Sequence, residues 1–228
     1  LVDQEAIRGY CHIFDQHRNV TVVDDFLTLD NPQWDFVLHM ISYFPERGSF
    51  TDKLNALVHG SMVGERLNYL YIHQGINGAL ATPAEDEVPA HIFDVFDKVF
   101  VGHYHNRSKI KGTEIEYIGS SRQFNFGEDT LKGYTVLYDD GSDEFIQNTV
   151  NARYMVIDVP VEDVTVHLTD RIGELKSDPR NRIKVRVHGN EAETAGVDKK
   201  RLMDAGDNKV EGANTSEEII ETPQNGML

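Results

Sequence analysis

The sequence predicts a layered α/β domain with mixed sheets, followed by a small α+β segment, and three observations carry that expectation. Asn68 to His73 and Val99 to Gly102 are short apolar runs set between helical or loop material, the pattern of buried strands in a layered sheet. From about residue 108 the rhythm turns β-rich. Thr113 to Ile118 alternates, and Gly133 to Tyr138 runs through the hairpin signal Asp140-Gly141 into Glu144 to Val150. After Asn151, a strand over Arg153 to Val159, a helix near 169–177 and a strand over Arg182 to His188 form the third group. Residues 1–150 thus read as one domain and 151–228 as an accessory or capping domain, with a disordered polar tail expected from about 206.

The earlier elements follow the same rules. Ile7, Tyr10, Cys11 and Phe14 fall at i, i+3, i+4 and i+7, an amphipathic helix with Asp3 as its cap. Val20 to Val23 and Phe36 to Tyr43 are dense in β-branched and aromatic residues and read as strands; residues 50–66 read as a helix. The chain opens on Leu1 inside a helical pattern, which raises the expectation of further sequence upstream.

Composition excludes several classes of function. At 228 residues the chain is long enough for a real core, and no apolar run approaches the roughly 20 residues of a membrane helix. Cys11 is the single cysteine, so an internal disulfide, a Cys-based zinc finger and an iron–sulfur cluster are all excluded, and a reducing, cytoplasmic setting fits. A net charge of -16 argues against holding nucleic acid by bulk electrostatics. Any DNA contact must be local.

The informative residues are histidines that end apolar strands: Tyr69-Leu70-Tyr71-Ile72-His73 and Val99-Phe100-Val101-Gly102-His103-Tyr104-His105. Carboxyl ends of strands in open α/β sheets line the binding crevice, so ligand-competent side chains there are aimed at a site. In extended backbone, the spacing of His103 and His105 would put both imidazoles on one face, and Gly102 would let the backbone approach closely. A metal cluster is the sharp reading, and a hydrogen-bonded core histidine is the ordinary one for each taken singly. His12, His39, His59, His91 and His167 take the ordinary reading.

Gly102-His103-Tyr104-His105 resembles the terminal G-H-x-H motif of the calcineurin-like metallophosphoesterases, and Ile72-His73-Gln74-Gly75 resembles the single-histidine motif before it. The stretch from Glu116 to Glu128, with Tyr117-Ile118-Gly119-Ser120 at its head, is similar to the segment that follows in the SbcD-type DNA-repair nucleases. The resemblance implies a metallophosphoesterase-type αβ sandwich, here N-terminally truncated. It also implies His73 and His103 on one metal, His105 on a second, and manganese as the metal. Imidazole and carboxylate donors are equally compatible with iron or zinc. The implied function is that of a DNA exonuclease subunit, hydrolysing phosphodiesters at a two-metal centre and working with an SbcC-type ATPase in DNA repair or recombination.

The family's D-x-H, G-D-x-x-D and G-N-H-[DE] motifs have no good counterpart. Asp15-Gln16-His17, Gly189-Asn190-Glu191 and Gly206-Asp207-Asn208 imitate pieces of them in the wrong context or order. The catalytic residues are therefore expected upstream, none of them in this chain, and the chain alone is expected to be inactive.

For DNA as a partner, Arg182, Lys184 and Arg186 alternate with Ile183, Val185 and Val187 and offer one cationic strand face; an ordinary solvated face is the plain alternative. Arg107 and Arg122 lie nearer the histidines in sequence and complete the substrate-binding candidates. A homodimer is compatible with the sequence, and a membrane partner is not expected. Two other functions compete: a calcineurin-like phosphoesterase acting on small phosphoesters or RNA, and a non-catalytic interaction module whose histidines are core packing.

Overall fold

A computed structural model describes residues 13–204, apart from 15, 45–48, 63, 83 and 85–86. Of the helix expected on Ile7, Tyr10, Cys11 and Phe14 with its Asp3 cap, only Phe14 is described, and it is exposed; the rest of that helix, His12 and the tail from 206 lie outside the described residues. The chain divides into two compact units, Leu1–Ser120 with Gly133–Gln147, and Ser121–Lys132 with Asn148–Leu228. The fold is α/β with mixed sheets and few helices. Among the described residues no helix is long and apolar enough to cross a membrane.

The first unit is built on a six-stranded sheet. Its strands are β1 (Phe26–Leu29), β2 (Phe36–Ile41), β3 (Leu67–His73), β4 (Lys98–Gly102), β5 (Ser108–Lys109) and β6 (Ile115–Tyr117), in the order β1-β2-β3-β4-β6-β5. The central strands β2, β3, β4 and β6 run parallel, and the edge strands β1 and β5 are antiparallel to their neighbours.

Residues alternate between the two sheet faces, so Val37, Ile41, Leu70, Ile72, Val99, Val101, Ile115 and Tyr117 are all buried, and all but Val37 share one core cluster. Helix α1 (Ser49–Ser61) closes that core with Phe50, Leu54 and Leu57, the i, i+4, i+7 stripe of a 3.6-residue period. The opposite face carries Phe36, Tyr69 and Phe100, against which Leu137 packs from the hairpin of β7 (Gly133–Leu137) and β8 (Asp143–Gln147). Tyr69 donates to the carbonyl of Gly141 at that hairpin's turn, and Lys98 pairs with Asp143.

In the second unit, β9 (Arg153–Pro160) pairs in parallel with β10 (Asn181–His188) across helix α2 (Val166–Lys176). Ile157, Leu168, Ile172, Val185, Val187 and Leu202 form its core. Gln123 works as a surrogate strand residue: its Oε1 accepts from the Tyr154 amide at 2.9 Å and its Nε2 donates to the Tyr154 carbonyl at 3.1 Å. Two short helices, α3 (Glu191–Ala195) and α4 (Lys199–Asp204), complete the unit.

One expectation needs correction. Val20 to Val23 is not a strand; the edge strand is Phe26–Leu29. Its register against β2 sets Thr28 opposite His39, and their side chains bond at 3.0 Å, a specific pairing that periodicity alone does not show. Gly189-Asn190-Glu191 is a helix start: the Asn190 side chain accepts from the Glu193 amide and the Glu193 carboxylate from the Asn190 amide, a capping box.

His39 is an ordinary core histidine. It is fully buried, and its Nε2 lies 3.1 Å from Asn68 Oδ1. Because Asn68 Nδ2 donates to the Arg66 carbonyl, its Oδ1 faces the ring, which assigns the proton to Nε2 and leaves Nδ1 to accept from Thr28. Burial lowers the His39 pKa from its ordinary 6.5, against a smaller opposing effect of the Asn68 bond. The unfolded chain therefore takes up this proton first as the pH falls through about 6.5, so stability present above that pH is lost below it. The urea midpoint is expected to drop between pH 7 and pH 5, and His39→Leu to be less stable throughout but with a flatter dependence; an equal slope in both proteins would reject this assignment.

Candidate functional site

The parallel register pairs His73 with Gly102 at the carboxyl ends of β3 and β4. A Cβ on residue 102 would lie 2.6 Å from His73 Nδ1, so glycine is required there to admit the imidazole of the neighbouring strand. From sequence, Gly102 is expected to let the backbone approach closely, and the group it admits is the His73 ring. His73 and His103 then meet with ring centroids 5.6 Å apart at 86°. Tyr43, just past the end of β2, stands edge-on to His73 at 6.1 Å and is 56% exposed.

His103 is not in extended backbone. β4 ends at Gly102, and His103 has φ 104, the one positive value among the described non-glycine residues. For a side chain of this bulk the conformation is strained, costing on the order of 1–3 kcal/mol. The chain therefore leaves the sheet by a sharp turn, and the shared-face argument for His103 and His105 does not hold as drawn from a strand. His105 nevertheless lies near enough to His73 to act on its charge. Desolvation lowers the His73 pKa, and the neighbouring His103 and His105 lower it further, which favours the neutral, ligating form of an imidazole. All three histidines are solvent-exposed.

The segment around Tyr117-Ile118-Gly119-Ser120 supports both histidine turns. The buried Tyr117 hydroxyl donates to the Gln74 carbonyl at 3.0 Å, directly after His73, and burial pushes its pKa up. Gly119 has φ +72, and a Cβ there would come within 3.0 Å of the Arg107 amide nitrogen and 3.1 Å of the His105 carbonyl oxygen. The Ser120 amide donates to that same His105 carbonyl at 3.0 Å, and its hydroxyl at 3.3 Å. Tyr43, Glu87 and Tyr104 also border this sheet edge and were missed from sequence. An aromatic after the end of β2 was the available signal for Tyr43; nothing in local sequence marks Glu87.

The histidine donors at these strand ends are imidazole nitrogens, which suit manganese, iron or zinc. Among the described residues no group of three or more His, Cys, Asp or Glu side chains is arranged to hold a metal ion. Asp15 of Asp15-Gln16-His17 and the stretch Gly206-Asp207-Asn208 lie outside the described residues. His17 Nδ1 accepts from the Asn19 amide at 3.3 Å.

The basic candidates differ in how they are held. Arg107 donates to Thr135 Oγ1 at 2.7 Å, pairs with Glu116 and lies 4.6 Å over the Phe145 ring, so its guanidinium ties the hairpin to the sheet. Arg122 is exposed, with its guanidinium 4.9 Å over the Phe124 ring. On β10, Arg182, Lys184 and Arg186 face Tyr154, Val156 and Asp158 of β9 in register. Arg182 donates to the carbonyls of Pro179 and Asn181, and Arg186 lies 3.9 Å from the Asp158 carboxylate.

No protein-family profile matches the chain. The chain is similar to a curated protein of Staphylococcus epidermidis (strain ATCC 12228 / FDA PCI 1200), the D-type subunit of the nuclease SbcCD, at 30% identity over 135 aligned residues. The match covers 50% of this chain and 36% of that protein, so the chain spans little more than a third of the relative it matches.

Gly102→Ala is expected to displace the His73 ring and to destabilise the first unit by about 1–3 kcal/mol, as overpacked sites do. Tyr117→Phe removes one buried hydrogen bond and should cost about 1 kcal/mol. Denaturant melts of the two variants check the ranking, and a Gly102→Ala protein as stable as wild type would show that the ring does not fill that space.

Proposed function

We propose that this chain forms part of a metal-dependent nuclease of SbcD type, with a calcineurin-like metallophosphoesterase core and phosphodiester hydrolysis as its reaction. One observation carries the proposal: two imidazoles, His73 and His103, meet at right angles 5.6 Å apart at the carboxyl ends of adjacent parallel strands. The similarity to the D-type component of the nuclease SbcCD supports the same reading.

In this reading His73 and His103 serve one divalent cation and His105 a second, with manganese the foremost candidate. When bound, such a pair would neutralise charge on the phosphate oxygens and lower the pKa of a water. The protein's own contribution is to favour neutral His73, to admit its ring beside Gly102, and to tie down the backbone after His73 through Tyr117 and that of His105 through Ser120. Three imidazoles are fewer donors than two cations take, so the activity requires ligands beyond the described residues. Arg122 and the Arg182, Lys184, Arg186 face are the proposed DNA contacts, and an SbcC-type ATPase is the proposed partner.

Purified 1–228 with manganese should cleave DNA no faster than its His103→Ala variant. The parent protein that carries the full ligand set should lose at least about 100-fold in activity on His103→Ala. Robust cleavage by 1–228 would refute the need for further ligands, and an unaffected His103→Ala parent would refute the site. In the assembled enzyme, replacing Arg182, Lys184 and Arg186 with Ala should weaken DNA binding and flatten its salt dependence, by about one unit of slope for each phosphate no longer neutralised. An unchanged slope would leave that strand a structural one.

A further inference from the structure

Glu87 comes to the histidine edge from the connection between β3 and β4. Its Oε1 accepts from the Tyr104 hydroxyl at 2.5 Å. Its Oε2 is buried and has no hydrogen-bond partner among the described residues. The Tyr104 ring stands 4.7 Å from the His103 ring and 4.9 Å from the Tyr117 ring. A Cβ built on Gly75 would meet Glu87 Cγ at 3.2 Å, the Tyr104 hydroxyl at 3.6 Å and His103 Nε2 at 3.8 Å, so all three groups converge over one glycine.

Two features call for an explanation. His103 holds a strained backbone, φ 104, which persists only where the surroundings over-determine it. A buried carboxylate oxygen without a donor is unfavourable, so Glu87 is poorly explained as a residue placed for fold stability. We infer that Glu87 is a positioning residue for His103: its carboxylate fixes the Tyr104 hydroxyl, and the Tyr104 ring, beside Tyr117 and His103, holds the imidazole toward His73. This deepens the metal reading of the same edge and rests on it for its functional meaning. The contacts themselves do not depend on a metal.

The test is NMR of histidine-labelled 1–228, with the ring signals compared among wild type, Glu87→Gln, Glu87→Ala and Tyr104→Phe. Glu87→Ala and Tyr104→Phe should shift or split the His103 ring signal while those of His59 and His91 stay in place. Glu87→Gln, which keeps an acceptor for Tyr104, should restore it. Melting temperature should not fall in step, since a purely structural residue would move stability and not one ring. A His103 signal identical in all four proteins would overturn the proposal. If Glu87→Ala fails to fold, Tyr104→Phe and Glu87→Gln decide by the same criterion.

Zinc titration of the same samples should show apparent affinity about 10–100-fold weaker in Glu87→Ala and Tyr104→Phe than in wild type. A wild type that takes up no zinc would remove the metal reading while the ring signals still decide the role of Glu87.

Discussion

The site depends on one steric fact: the register of β3 against β4 places His73 beside a residue with no side chain. Any other residue at 102 would occupy the volume that the imidazole fills. Shifting the register by one residue would set His73 beside His103 or Val101 and turn the strand's other face to the core. The apolar alternation of Leu70, Ile72, Val99 and Val101, buried against α1, is what prevents that slip. Core packing on one face thus fixes imidazole geometry on the other.

Around that pair the backbone turns are tied down by hydrogen bonds from a neighbouring segment. Tyr117 bonds to the backbone after His73, and Ser120 to the backbone of His105, so one short segment at the end of β6 secures both histidine turns. Gly119 is glycine because its φ of +72 and the closeness of the Arg107 and His105 backbones leave no room for a side chain. The Tyr-x-Gly-Ser pattern therefore has a physical reading: a hydroxyl, a left-handed turn and a second hydroxyl that together hold two neighbouring loops.

Much of this was legible in the sequence, and for identifiable reasons. Strands β3 and β4 carry the apolar runs Tyr69 to Ile72 and Val99 to Val101, and α1 shows its stripe in Phe50, Leu54 and Leu57. The Asp140-Gly141 turn announced the β7–β8 hairpin. The two histidine strands stood out because a polar residue ends an apolar run. What stayed hidden depends on partners distant in sequence. β1 could not be told from Val20 to Val23 without the Thr28–His39 pairing. The turn at His103 is invisible to a period-two argument, since β4 ends at Gly102 and the next residue takes a positive φ. Arg107 reads as a phosphate-binding candidate until Glu116, Thr135 and Phe145 are brought round it.

The two outermost strands of the large sheet are its least conspicuous parts. β1 has four residues between Asp24-Asp25 and Asp30, and β5 has two, one of them Lys109. Short rims with flanking charge are poor templates for recruiting another chain's backbone. Each rim of this sheet therefore offers only a few backbone groups for pairing with another chain.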